Sequence, residues 1–393
     1  MEKTYGYHQV FAAACAGMLL FGVVMLSLGS TLPEISRKYD LDGLSAGTLA
    51  SLLPTGILLG SLVFGPIVDR FSYKYLLIFC ALMIAIGMLG IASAPGLLIL
   101  QISFFLIGFG GGAINGGTNA LVADISHDFQ KTGSANLSLL GVFFGVGALS
   151  MPSIMAMLTR VYTHDQILKA IACFILIITT FFFTIKYPDP KQPQRMAMTN
   201  VVNLFRDKTL LILAFVLFFQ SAFEGIFNNW TTTYLQTVRG FAEAQALTVL
   251  SIYVVGLTLT RLILAGILSK ISERKALYLC LSFLIIGVLV LMTFDGVVAS
   301  YIGAAILGMG TAAVFPTILG FVSHLYQAMR GTAFSVVIFI AVIGNILVNF
   351  FVGILSEKVG INAYPVVLLV VVIMVLLMFI VYDFRNDKLR NAE

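Results

Sequence analysis

The chain alternates between apolar runs of about twenty residues and short polar breaks, the length that crosses a hydrocarbon core of about 30 Å as a helix. Within each run every face is apolar, without the every-other-residue alternation of a membrane β-barrel strand, so the backbone polar groups must be satisfied inside helices. Taken run by run, the pattern predicts helices at 9–32, 46–68, 75–93, 97–123, 133–158 and 166–186. A second set follows at 209–236, 244–269, 275–293, 297–324, 331–355 and 361–382. The breaks Ala94-Pro95-Gly96 and Asp295-Gly296 leave room only for tight turns, so the helices they join are antiparallel neighbours. The longest break, Lys186–Lys208, holds Pro188, Pro190 and Pro193 among basic residues and reads as a linker. The expected architecture is an all-α integral membrane protein of twelve transmembrane helices in two pseudo-symmetric six-helix bundles. The bundles are placed at 1–186 and 209–393, with a cytoplasmic linker at 187–208.

Composition excludes a soluble protein. Of 393 residues, 59% are hydrophobic and only 10% charged, with a mean hydropathy of +1.01, whereas a water-facing surface carries about 25–35% charged residues. The net charge of +5 does not form a nucleic-acid patch, because the basic residues sit between the runs. If both termini are cytoplasmic, sixteen of the 23 Lys and Arg residues fall on the inner side and six on the outer. That asymmetry sets the orientation. The first run lacks a small-residue cleavage site and is expected to stay as a helix. Cys15, Cys80, Cys173 and Cys280 lie inside apolar runs and read as packing residues; His8, His127, His164 and His324 lie at helix ends without metal-ligand spacing. No catalytic Ser–His or metal cluster stands at membrane depth, so neither an enzyme nor a cofactor is expected.

The two halves repeat at an offset of roughly 200 residues. Gly65-Pro-Ile-Val-Asp69-Arg70-Phe-Ser-Tyr-Lys74 aligns with Gly266-Ile-Leu-Ser-Lys270-Ile-Ser-Glu273-Arg274-Lys275. Pro95-Gly96 aligns with Asp295-Gly296, Leu106-Ile-Gly108-Phe-Gly110 with Ile306-Leu-Gly308-Met-Gly310, and Gly133-Ser-Ala135 with Gly331-Thr-Ala333. Four matches in the same order imply a duplicated six-helix unit, and parallel repeats of this kind build transporters.

Polar groups in hydrocarbon are costly and mark candidate chemistry. Glu224 stands about fifteen residues, hence roughly 22 Å, into the seventh helix, and is the one carboxylate placed deep within a span. Gln220, Glu224, Asn228 and Thr231 share a stripe at spacings of four, four and three, while Asn229 and Trp230 point elsewhere. Donors and acceptors beside the flat face of Trp230 suit a polyhydroxylated solute; bonding to neighbouring helices is the competing reading. For Glu224 itself three roles stay open: proton uptake and release, hydrogen bonding to substrate, or a structural ion pair with Arg261. Asn115 and Asn119 share a face of the fourth helix and either line a cavity or bond another helix. Asn345 and Asn349 repeat that spacing on the eleventh helix, where packing is the preferred reading, and Gly141, Gly145, Gly147 and Pro152 give the fifth helix a packing surface. Arg261 can snorkel toward one membrane face or attract an anionic substrate.

The loop Gly65-x-x-x-Asp69-Arg70-x-x-x-Lys74 and its echo resemble the major facilitator superfamily over essentially the whole chain. That resemblance implies two bundles rocking about a cavity lined by helices one, four, seven and ten. It also implies a gate containing Asp69, Arg70, Lys74, Arg261 and Arg330, with Asp69 at the N-terminus of the eleventh helix. Glu224-Gly225…Trp230…Tyr234-Leu235 and Asn119…Asp124 are similar to the fucose–galactose–glucose permease branch. The branch implies a proton symporter for a sugar in the cell inner membrane; a monomer is expected, sodium is the alternative ion, and Arg261 leaves acidic sugars such as sialic acid or uronates as the alternative substrate. The substrate-binding candidates are then Asn115, Asn119, Gln220, Glu224, Asn228 and Trp230. The branch uses acidic residues in helices one and four. Here helix one has none before Glu34 and helix four only Asp124, so Glu224 is the default coupling residue. The fifth helix lacks the drug-antiporter signature, which leaves drug efflux, and a non-transporting nutrient sensor, as the minor alternatives.

Overall fold

The computed structural model describes residues 5–40, 43–159, 161–190, 204–268 and 270–390. Lys3, Arg160, Lys191 and Arg195 of the charge pattern, and 191–203 of the predicted linker, lie outside the described residues. The helices are α1 (Tyr7–Lys38), α2 (Gly43–Arg70), α3 (Tyr73–Ala92), α4 (Leu97–Asp128), α5 (Gly133–Leu158) and α6 (His164–Thr184). There follow α7 (Lys208–Arg239), α8 (Glu243–Ile267), α9 (Glu273–Thr293), α10 (Val297–Thr311), α11 (Val314–Leu325), α12 (Arg330–Val359) and α13 (Tyr364–Arg390). Among the described residues twelve spans are long and apolar enough to cross a membrane, α10 and α11 together forming one of them.

Local chemistry sets the helix ends. The Ser72 hydroxyl accepts from Lys74 N at 3.1 Å and starts α3; the Asp207 carboxylate accepts from Thr209 N and Leu210 N and starts α7; Thr163 and Gln166 form a capping box on α6. Each satisfies backbone amides that the first helical turn leaves without partners. Gly240, at φ 65°, closes α7 in the left-handed region.

Several helices outrun the expected boundaries, α4 to Asp128 and α13 to Arg390 among them, and two departures have a local reason. Helix α1 runs to Lys38, past the apolar limit at 32, because an ion pair between Glu34 and Arg37 and a 2.8 Å Lys38–Asp165 contact support polar turns that hydropathy does not register. The tenth span is broken at Ala312–Ala313. Pro316 explains the break: its ring clashes with the carbonyl four residues back, at Ala312, and it donates no hydrogen bond.

By contacts the chain forms two compact units. The first comprises Met1–Lys131, Phe143–Ala197 and Tyr326–Ser335; the second comprises Thr132–Val142, Met198–Leu325 and Val336–Glu393. The first ten residues of α5 therefore group with the second unit and the first six of α12 with the first. In the first unit α4 is the hub, packed by α1, α2 and α3, while α3 also meets α6. The second unit repeats this plan: α10 meets α8 and α9, α9 meets α13, and α7 meets α11 and α13.

The repeat extends to single atoms. A Cβ on Gly108 would stand 2.2 Å from the Leu53 carbonyl oxygen, and one on Gly308 2.2 Å from that of Tyr253. A Cβ on Gly110 would meet Cys80 O at 2.7 Å, and one on Gly310 would meet Cys280 O at 2.8 Å. Small residues at these points let helix backbones touch, which is how helices associate when lipid removes the hydrophobic drive between them. Cys80 and Cys280 are buried at those contacts, as is Cys15 elsewhere in its unit; Cys173 is exposed.

Gly108→Val should drive α2 from α4 and cost about 1–3 kcal/mol through overpacking. The check is thermal unfolding of purified protein in detergent, with Gly266→Ala, where a Cβ meets open space, as a control that does not fall below the parent midpoint.

Candidate functional site

The second unit gathers the polar residues of α7. Gln220 Nε2 donates to Glu224 Oε1 at 3.1 Å, one turn apart on the same face. Gln220 is 1% exposed, and its own Oε1 has no hydrogen-bond partner. Glu224 is half-buried and lies within electrostatic reach of Arg261 on α8. Arg261 is 7% exposed; its Nη1 donates to Gly141 O at 3.4 Å, and its Nε has no partner. Gly141 is required there, since a Cβ would sit 2.8 Å from Arg261 Nη1 and 2.9 Å from its Cδ.

The rest of the α7 stripe divides. Asn228 is exposed. The Thr231 hydroxyl donates to Phe227 O at 2.5 Å and meets Tyr364 Oη at 2.5 Å, so it fastens α7 to α13. Trp230 is half-buried, its ring 3.6 Å from the space a Cβ on Gly353 of α12 would fill. Asn229, which points away from the stripe, donates to Asn349 Oδ1 at 3.1 Å, and Asn345 Nδ2 donates to Ser221 O at 3.0 Å. Asn345 and Asn349 thus brace α12 against α7 beside Glu224.

In the first unit, Asn119 is buried and its Nδ2 donates to Asn115 O at 2.8 Å and Asn115 Oδ1 at 3.1 Å. The pair is bonded within α4 itself. Asn115 is half-buried.

Two ionic contacts of the first unit bind the start of α12. Asp69 Oδ2 accepts from Thr332 N at 2.8 Å and Thr332 Oγ1 at 2.6 Å, while Oδ1 accepts from Gly331 N at 3.3 Å. A carboxylate here satisfies first-turn amides and meets the positive end of the helix dipole. Gly65 lies one turn before Asp69, and a Cβ on it would stand 2.5 Å from Gly331 O. The loop motif therefore has a local reason: glycine allows the approach and aspartate caps what arrives. Arg330 Nη1 donates to Asp124 Oδ1, and Tyr73 Oη donates to Asp124 Oδ2 at 2.7 Å. Arg330 is 1% exposed and Asp124 4%. Arg70 and Lys74 do not join these contacts: Arg70 is exposed with its guanidinium 5.0 Å from the Phe71 ring centroid, and Lys74 is half-buried.

The second unit holds a counterpart that alignment of residue types obscures. Lys270 occupies the position matching Asp69, yet Ser134 Oγ at the start of α5 donates to Glu273 Oε1 at the start of α9. Ala135, Leu264, Leu268, Ala276, Cys280, Ala312 and Ala313 form a buried cluster around the same helix ends. Sequence reasoning missed Asp124, Tyr73, Glu273 and Ser134 as partners. The signal was present in Glu273, the sole acidic residue of the second-half loop, displaced by three positions from the place of Asp69.

The family model of the Major Facilitator Superfamily matches residues 11–348, and the chain belongs to that superfamily of membrane transporters. The uncharacterized MFS-type transporter YfkL of Bacillus subtilis is 24% identical over 352 residues, covering 86% of this chain and 87% of that protein. Two solved structures share the fold. The Escherichia coli fucose:proton symporter FucP matches with a TM-score of 0.77 at 18% identity, over 96% of this chain and 99% of that one. The proton:xylose symporter XylE matches with a TM-score of 0.79 at 14% identity, over 95% and 94%.

Arg330→Ala should leave Asp124 buried without its cation and cost about 3–5 kcal/mol, read as a lowered unfolding midpoint in detergent. Pairing it with Asp124→Asn, which removes the stranded charge, should recover much of the loss. An equal loss in the single and double variants would show that the two residues are not energetically linked.

Proposed function

We propose that the chain is a secondary active transporter that imports a sugar or sugar-like polar solute by alternating access, with proton symport carried by Glu224. The observation that carries this reading is the Gln220–Glu224 pair: a carboxylate midway along α7, hydrogen-bonded to a buried amide whose own acceptor is unused. A carboxylate in that position suits proton transfer because low dielectric penalises its charge, and an unused amide acceptor suits a hydroxyl donor. FucP, a fucose:proton symporter, and XylE, a proton:xylose symporter, support extending the reading to a sugar and a proton.

In this scheme Gln220, Glu224, Asn228, Trp230, Asn115 and Asn119 serve the solute. Asp69 and Arg330 hold the gate at the start of α12, with Arg70 and Lys74 of the same loop assigned to the gate set. Transport in a cell inner membrane, both termini cytoplasmic and a monomeric working unit complete the proposal. The Asp69 cap and the Arg330–Asp124 pair are both formed in this arrangement, so opening that face requires breaking them.

Glu224→Gln should abolish accumulation driven by an imposed pH gradient in proteoliposomes while exchange of internal for external solute continues. Undiminished pH-driven accumulation in that variant removes Glu224 from the coupling role.

A further inference from the structure

The buried arginines differ in how well they are satisfied. Arg330 has the Asp124 carboxylate. Arg239 donates to Phe294 O at 2.9 Å, Ser300 Oγ at 3.3 Å and Leu291 O, with the Asp295 carboxylate at 3.3 Å, although its Nε, like that of Arg261, has no partner. Arg261 is 7% exposed, yet its Nε is unpartnered and its Nη1 makes one long bond of 3.4 Å to a neutral carbonyl. No carboxylate stands within ion-pair distance of it among the described residues. A guanidinium carries five donors in a planar fork, so a buried one in this state has capacity for a ligand that the protein does not fill. A residue that served only to hold helices together would be expected to look like Arg330 or Arg239.

The surroundings narrow the ligand. The charged and titratable groups facing Arg261 are Glu224 on α7 and Tyr253 on its own helix; the α5 segment beside it contributes Gly141, and the slot there excludes a Cβ. Gln220, bonded to Glu224, offers a buried unpartnered acceptor to a hydroxyl. An anionic fork acceptor and a hydroxyl donor on one small molecule describe a polyhydroxy carboxylate.

We infer that Arg261 receives the carboxylate of the solute, which makes the substrate class sugar acids rather than neutral sugars. This rests on the proposed sugar-transport reading and narrows it. A carboxylate fits the guanidinium through two parallel N–H···O bonds, and Arg261 then acts as a specificity-determining residue rather than as a gate part. Charge balance follows: with Glu224 ionised, Arg261 already faces one negative charge, so the anion enters together with a proton on Glu224.

The test is binding to the purified full-length protein by titration calorimetry, with D-glucuronate and D-galacturonate against D-glucose and D-galactose. At least one uronate should bind about tenfold or more tighter than its parent hexose, and Arg261→Gln should erase that preference while Arg261→Lys keeps part of it. Should the glutamine variant fail to fold, the methyl ester of the preferred uronate, offered to the parent protein, should lose the same tenfold. Equal or tighter binding of the hexose, a methyl ester as good as the acid, or an unchanged preference in Arg261→Gln overturns the inference and leaves the sugar reading standing. Binding of none of the four sugars overturns both.

Discussion

Inside a bilayer a polar group can bond only to the protein, and this constraint sorts the buried ionic and amide groups among the described residues. Where partners are complete, the group is structural: Asp69 receives two amides and a hydroxyl at the start of α12, and Asp124 receives Arg330 and Tyr73. Where partners are incomplete, as at Gln220 and Arg261, the protein carries a standing electrostatic cost, which under the proposed function a solute and a proton relieve. The first class holds an arrangement in place and the second gives a reason to leave it.

The same constraint governs packing. Helices in lipid gain little from burying apolar surface against one another, so close backbone approach matters more. At Gly108 against Leu53 and at Gly308 against Tyr253 an added Cβ would stand the same 2.2 Å from the facing carbonyl oxygen, and the Gly110–Cys80 and Gly310–Cys280 contacts follow the same rule. A duplicated sequence has kept these contacts in each unit while the ionic residues at the helix ends diverged. Asp69 in one repeat and Glu273 in the other reach different helices from positions three residues out of register.

Much of this was legible in the residues. Run length gave the spans because hydrocarbon thickness fixes it, and the glycine pattern around 108 and 308 revealed the repeat. The Asp69 contact was read from a family motif rather than from local physics, which says only that a carboxylate suits some helix N-terminus. The break at Ala312 followed from Pro316, whose effect hydropathy does not register. On α7, spacing identifies a shared face but not the neighbour: at Thr231 the reading of bonding to another helix fits, since Tyr364 on α13 meets that hydroxyl. Likewise Asn115 and Asn119 share a face, yet the amide of Asn119 is taken up within its own helix.

The central claim is that a proton crosses with the solute by way of Glu224. The most direct measurement is the pH of a lightly buffered medium around proteoliposomes, with no gradient imposed, as the solute that binds is added. The account expects the medium to become alkaline at the rate the solute enters. Solute entry with no change in external pH would contradict it.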